Sequence, residues 1–216
     1  MYWNIIDKDR YKLLKDLTET VTIPEYYMIG GTALSLQMGL RESFDFDFCV
    51  PAQFNNELLL EELGKIGEVK VKQNQSGTCD VILNGVQVSF FYYPNKIINE
   101  LVKPQEMPKL RMASILDIAI MKIVAIGGRG AKKDFFDLYN IINKCRISIK
   151  ELAEGLIEKC GSKTNYVNII MGLSYFEDAE QEILPKTFVE YNWEEIKEFF
   201  INYQKEFKKY IEKITL

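Results

Sequence analysis

Along this chain the spacing of apolar residues changes several times, and each change marks an element. Residues 6–20 (IDKDRYKLLKDLTET) repeat at helical spacing, with Tyr11, Leu13, Leu14 and Leu17 on one face and charges on the other, and Pro24 ends that helix. Tyr26–Ile29 then reads as a short buried strand. Gly30-Gly31 turns it into a helix that Thr32 caps and that runs to about Leu40. Phe44–Val50 switches to strand alternation, with Phe44, Phe46 and Phe48 toward the core and Asp45 and Asp47 on the opposite face, and Pro51 closes it. Residues 54–65 (FNNELLLEELGK) form a further helix ending at Gly64 or Gly67.

The clearest turn signal follows: CDVIL, then Asn84-Gly85, then VQVSFFYY. Asn-Gly between alternating apolar runs is the mark of a type I′ hairpin. Counting outward from that two-residue loop pairs Leu83 with Val86, Ile82 with Gln87, Val81 with Val88 and Asp80 with Ser89. Beyond Pro94 a loop carrying Pro104 and Pro108 leads into a second half whose periods are all helical. It contains ILDIAIMKIVAI, introduced by Ser114 and Asp117 as a capping box and broken by Gly127, Gly128 and Gly130, then KKDFFDLYNIINK with Phe135, Leu138, Ile141 and Ile142 inward. Further helices are expected near 148–160, 164–173 and 193–212. The change of period divides the chain into residues 1–108, α+β with a mixed sheet, and a helical C-terminal domain, residues 109–216.

Composition narrows the chemistry. Hydrophobic residues make up 47% of the 216, enough for a sizeable core, and the formal net charge is −4, so nucleic-acid contact would need a local basic patch. No apolar run is long enough for a membrane span, and the charged N-terminus is unlike a signal peptide; the expected location is cytoplasmic. The four cysteines are scattered and form no CxxC pair, which speaks against a zinc or disulfide framework. There is no histidine, which removes histidine bases, His-assisted nucleophiles and His metal ligands together. Chemistry falls to carboxylates, lysines and backbone dipoles.

Asp45 and Asp47 are the first candidates. Two apart on a strand, their Cα atoms are roughly 6.5–7 Å apart on one face, so both carboxylates can reach one divalent ion or a close pair. Magnesium held in this way also takes substrate phosphates as ligands, and the Gly30-Gly31-Thr32 turn offers these N–H groups at a helix N-terminus. A lone DxD on an amphipathic strand is usually a solvated face, and a lone Gly-Gly-Thr turn is as weak; strand, turn, helix and carboxylate strand in that order are far more specific. Arg41, which precedes the carboxylate strand with Ser43, can reach a phosphate. Lys122 lies on the helical face of Ile115, Ile118, Ala119 and Ile126, where a buried amine needs an anion, such as a triphosphate, or must snorkel out. Arg129, Lys132 and Lys133 add positive charge near the glycine break, and Lys133 with Asp137 fits an exposed i,i+4 pair. The run from Trp193 to Lys213 interleaves aromatics and lysines, a pattern that can stack single-stranded RNA but more often is a core-facing stripe with a solvated back.

The order GGT, twelve residues, DFD resembles the nucleotidyltransferase superfamily that includes DNA polymerase β. More specifically, GGTALSLQMGLRESFDFD, NGVQVSFFYYP, MASILDIAIMKIVAIGGRGAKKDFFDLY and LSYFEDAE resemble the AbiEii/AbiGii branch of abortive-infection toxins. The resemblance implies a polymerase β-like domain followed by helices that complete an active-site cleft. It implies nucleotide transfer from an NTP with Mg²⁺ or Mn²⁺ in a toxin–antitoxin or phage-defence setting, with tRNA as acceptor in some relatives and a cognate antitoxin protein as partner. Asp45 and Asp47 would bind metal, Gly30, Gly31 and Thr32 the phosphates, with Arg41, Ser43, Arg129 and Lys133 as further nucleotide contacts. Lys122 would neutralise the leaving group, and Asp134 would anchor Lys122 or touch the nucleotide. The superfamily's third carboxylate falls on Ser89, and Asp80 either stands in as a metal ligand or is an edge-strand surface charge. Two other readings stay open: a degenerate member that binds nucleotide or protein without catalysis, and an enzyme acting on a small-molecule or protein hydroxyl.

Overall fold

The structure, a computed structural model, describes residues 1–161 and 164–215. The chain forms two compact units, one of residues 1–95 and 100–114, the other of residues 96–99 and 115–216.

The first unit is built on a five-stranded mixed sheet of β1 (Tyr27–Ile29), β2 (Phe46–Val50), β3 (Val69–Gln75), β4 (Thr78–Leu83) and β5 (Val86–Tyr92), in the order β1-β2-β5-β4-β3. Only β2 and β5 run parallel; β1–β2, β5–β4 and β4–β3 are antiparallel. The β4–β5 register is the one that the two-residue loop dictates, with Leu83 opposite Val86 and Asp80 opposite Ser89. Asn84 and Gly85 both have positive φ, +50° and +82°, as a type I′ turn requires. Beside β1 the chain returns once more: the Met28 N–H bonds the Arg111 carbonyl at 2.7 Å, and the Ala113 N–H bonds the Met28 carbonyl at 2.9 Å.

Helices α1 (Lys8–Thr20), α2 (Gly30–Met38) and α3 (Asn56–Ile66) complete this unit. Asp7 caps α1 through the Arg10 N–H, and Asn55 caps α3. Leu13, Leu14 and Leu17 of α1 and Leu59 and Leu63 of α3 are buried, as are Phe46, Phe48, Val81, Val88 and Phe90 of the sheet. Phe48 stacks on Phe90 with ring centroids 4.9 Å apart, and Tyr26 meets Phe48 edge-on at 5.4 Å.

One sequence expectation is corrected here, and one strand that the sequence reading did not name is added. The carboxylate strand begins at Phe46, so Phe44 is not a core residue; it is 41% exposed beneath the Arg10 guanidinium, 4.5 Å from its ring centroid. Strand β3 has no apolar residue beyond Val71 and its side chains are mostly exposed, so alternation could not reveal it; its ladder with β4 holds it.

In the second unit α4 (Ile115–Gly128) packs against α5 (Lys132–Cys145), α6 (Ile149–Cys160) and α7 (Tyr166–Gly172). Gly127 and Gly172 let α4 and α7 touch: a Cβ on Gly127 would lie 2.7 Å from the Ile169 Cα. A short α8 (Glu177–Glu180) precedes α9 (Trp193–Thr215), whose Ile196, Phe200, Tyr203, Phe207 and Ile211 form one buried stripe. The aromatic residues of that run are therefore mainly a core face rather than a stacking platform. Asp117 accepts the Ile98 and Asn99 N–H groups at 3.0 and 3.1 Å and the Lys159 ammonium at 2.8 Å, while Lys159 also donates to the Lys96 carbonyl. This buried pair stitches residues 96–99 to α4 and α6. No helix among the described residues is long and apolar enough to cross a membrane.

The Phe48 ring fills a site with no exposed surface. Phe48→Ala is expected to cost about 3–5 kcal/mol, read as a lower urea midpoint with an unchanged slope.

Candidate active site

Strand β1 passes into α2 without a linker, and the glycines at that corner have a steric cause. Gly30 has φ +75°, and a Cβ there would lie 2.8 Å from Asp47 Oδ2. A Cβ on Gly31 would lie 2.6 Å from Ser43 Oγ and 2.8 Å from Arg41 Nη2. The turn thus lies against the side chains of Asp47, Ser43 and Arg41, and at residue 30 the positive φ favours glycine. Pairing of Ile29 with Asp47 across β1–β2 sets the same closeness in the backbone. Gly30, Gly31, Thr32, Arg41, Ser43, Asp45 and Asp47 are therefore neighbours.

Thr32 does not cap α2. The helix already begins at Gly30, so Thr32 lies inside its first turn, 1% exposed, with its hydroxyl donating to the Asp45 carbonyl at 2.6 Å and 3.0 Å from Ser43 Oγ. It clamps the segment that presents Asp45. Ile29, the residue before the helix, offers no side-chain cap, and no acidic residue occupies the first turn, leaving the positive end of the helix dipole unopposed there from within α2. Arg41 is 2% exposed and its Nη1 donates to the Glu42 carbonyl at 2.9 Å. Asp45 is exposed just ahead of β2, and Asp47 is half-buried within it.

Across the sheet Asp47 pairs with Ser89, Ser89 with Asp80, and Asp80 with Gln73. The Ser89 hydroxyl donates to Asp80 Oδ1 at 3.0 Å, so the polar row is real at the level of side chains. Among the described residues no group of three or more His, Cys, Asp or Glu side chains could hold a metal ion. Asp45 lies just ahead of β2 and Asp47 within it, and Asp80 is two strands away from Asp47 across the sheet.

In the second unit Lys122 is buried between two carboxylates, its Nζ 2.8 Å from Asp134 and 2.6 Å from Asp137. These supply the anion that its burial requires. Arg129, its side chain 62% exposed, adds a bond from Nε to Asp134 at 3.0 Å. Burial alone would raise the Asp134 carboxyl; the Lys122 charge and the Arg129 and Lys122 hydrogen bonds outweigh it and hold the group below its ordinary 3.8. Asp137, expected as a surface partner of Lys133, is fully buried instead. The signal lay in the spacing: Asp134, Asp137, Leu138 and Ile141 follow one another at i, i+3, i+4 and i+7, which puts both aspartates on the apolar face of α5.

Comparison with known proteins agrees with this geometry. A crystal structure of a nucleotidyltransferase candidate from H. pylori superposes with a TM-score of 0.52 at 16% identity, covering 97% of this chain and 99% of that one. The fold is that of the polymerase β-like nucleotidyltransferases, with a mixed-sheet domain followed by helices, and the protein is a nucleotidyltransferase. The model of the family "Nucleotidyl transferase AbiEii toxin, Type IV TA system" matches residues 12–215, and the chain belongs to that family. An uncharacterized protein of Aquifex aeolicus (strain VF5) is 32% identical over 209 residues, 96% of this chain and 98% of that protein.

Lys122→Met removes the ammonium that buried Asp134 and Asp137 share, an expected loss of about 3–5 kcal/mol at pH 7. In the wild type the depressed Asp134 contributes stability above its unfolded value of about 3.9, lost only as pH falls through the folded value. In the variant the lowering by Lys122 is gone and burial acts against the charged form of Asp134, so the deficit shrinks as pH falls from 7 toward 5. Urea denaturation at the two pH values checks this; a deficit independent of pH contradicts it.

Proposed function

We propose that this toxin transfers a nucleotide from an NTP to a hydroxyl of RNA, tRNA among them, with a divalent ion at Asp45 and Asp47. The observation that supports the reading is the contact of the glycine turn with Asp47, which sets backbone N–H groups at a helix start beside one of the two carboxylates. The donor set suits Mg²⁺ or Mn²⁺: both ligands are hard carboxylate oxygens, one of them exposed. Magnesium is commonly held by one or two carboxylates together with substrate phosphates, so a two-carboxylate set is sufficient. Such an ion supplies Lewis-acid stabilisation of the charge that develops as pyrophosphate leaves.

The protein's own groups do the rest. Backbone N–H groups of Gly30, Gly31 and Thr32, at the start of α2, bind and orient the phosphates. Ser43 and Arg41 brace that corner from behind Gly31, and the Thr32 hydroxyl fixes the carbonyl of Asp45. Lys122 with Asp134 and Asp137 holds the start of α5 against α4, and the cations of Arg129 and Lys133 beside that start are the further nucleotide contacts of this reading. Membership of a type IV toxin–antitoxin family supports a cognate antitoxin protein encoded beside it. The missing third carboxylate at Ser89 favours one alternative, a member that binds NTP without transferring it.

Incubation with labelled NTPs, Mg²⁺ and total RNA decides between them. Asp47→Ala is expected to slow labelling about a thousandfold, the equivalent of several kcal/mol of Lewis-acid stabilisation. Equal labelling by wild type and variant overturns the assignment, and NTP binding with no product supports the alternative.

A further inference from the structure

We propose that Asp80, oriented by Ser89, is the catalytic residue that takes up the acceptor's proton; the inference rests on the nucleotidyltransfer reading above. In that reaction a bond forms between the acceptor oxygen and the α-phosphorus, and the bond from that phosphorus to pyrophosphate breaks. The hydroxyl proton must go to a base. The chain has no histidine to receive it. Asp45 and Asp47 are poor candidates, because a carboxylate held by a cation loses basicity.

The sheet supplies another carboxylate on the same face. Residues in register on neighbouring strands present their side chains to one side, so Asp47, Ser89 and Asp80 form a row across β2, β5 and β4. Two strand spacings put the Asp80 Cα roughly 10 Å from that of Asp47, a separation that a phosphoryl group and an attacking oxygen would span. Ser89, between the two aspartates and 1% exposed, donates its hydroxyl to Asp80 Oδ1 at 3.0 Å. Among the described residues no other hydrogen bond or ion pair engages Asp80, so Oδ2 of this half-buried carboxylate is left to accept a proton. One step along β5 from Ser89, Lys72 Nζ donates to Gln87 Oε1 at 3.0 Å.

The test uses the full chain with α-labelled NTP, Mg²⁺ and total RNA under single-turnover conditions, with NTP affinity measured in parallel by calorimetry. Asp80→Asn is expected to slow transfer by about 10²–10⁴-fold, the usual contribution of a general base, while NTP affinity is unchanged. The exchanged variant, Asp80→Ser with Ser89→Asp, returns a carboxylate to the row and recovers most of the lost rate. Asp80→Asn at the wild-type rate overturns the proposal. So does an exchanged variant no faster than Asp80→Asn, which assigns the effect to disturbed strand packing, or an Asp80→Asn defect that is a loss of NTP affinity. A wild type that labels no RNA at all fells the nucleotidyltransfer reading itself, a result distinct from each of these.

Discussion

The candidate site depends on one close approach: the Asp47 carboxylate occupies the space where a side chain at residue 30 would begin. Glycine at the corner leaves that space to the carboxylate and permits the positive φ there. Because β1 pairs with β2 in a register that sets Ile29 opposite Asp47, the helix N-terminus and the carboxylate are fixed by the same ladder. Hydrogen bonds from Thr32 extend the constraint to Asp45, and the crowding of Gly31 by Ser43 and Arg41 extends it to the connecting loop. The glycine turn and the two aspartates of the candidate site are thereby held by backbone geometry, with little left to loop mobility. Placement on a strand and a helix start is what keeps such groups within catalytic tolerance.

The second unit solves a different problem, the burial of charge in a helical core. Lys122 is compensated by two aspartates, and Lys159 by Asp117, each cation having partners within about hydrogen-bond distance. Pairs of this kind add little net stability over apolar side chains, but losing one partner strands a charge in the core. Their effect is positional. The first cluster pins the start of α5 and with it the exposed Arg129 guanidinium; the other pins residues 96–99 to α4 and α6.

Much of this was legible in the residues. Asn84-Gly85 dictated the β4–β5 register pair by pair, and with it the meeting of Asp80 and Ser89. The glycine turn and carboxylate strand were visible as a motif, and the family could be recognised from the long segment around Lys122 and Asp134. What the sequence hid were features fixed by tertiary context. Strand β3 carries polar residues on both faces, so its only signature is the partner strand. Thr32 has the composition of a cap but is drawn off by the Asp45 carbonyl, and Phe44 leaves the alternation because the strand starts two residues later. Asp137 matched a surface pair with Lys133 equally well by spacing, and only the packing of α5 on α4 decides that Lys122 takes it.

The central claim is that the glycine turn and Asp47 form a single nucleotide site. Calorimetric titration of an NTP with Mg²⁺ into the wild type and Gly30→Ala tests it most directly, with thermal melts confirming that the variant is folded despite strain of order 1–3 kcal/mol at a positive φ. The account predicts binding by the wild type that EDTA weakens, and a loss of at least about tenfold, 1.4 kcal/mol, in the variant. Equal affinity in a folded Gly30→Ala protein would contradict it.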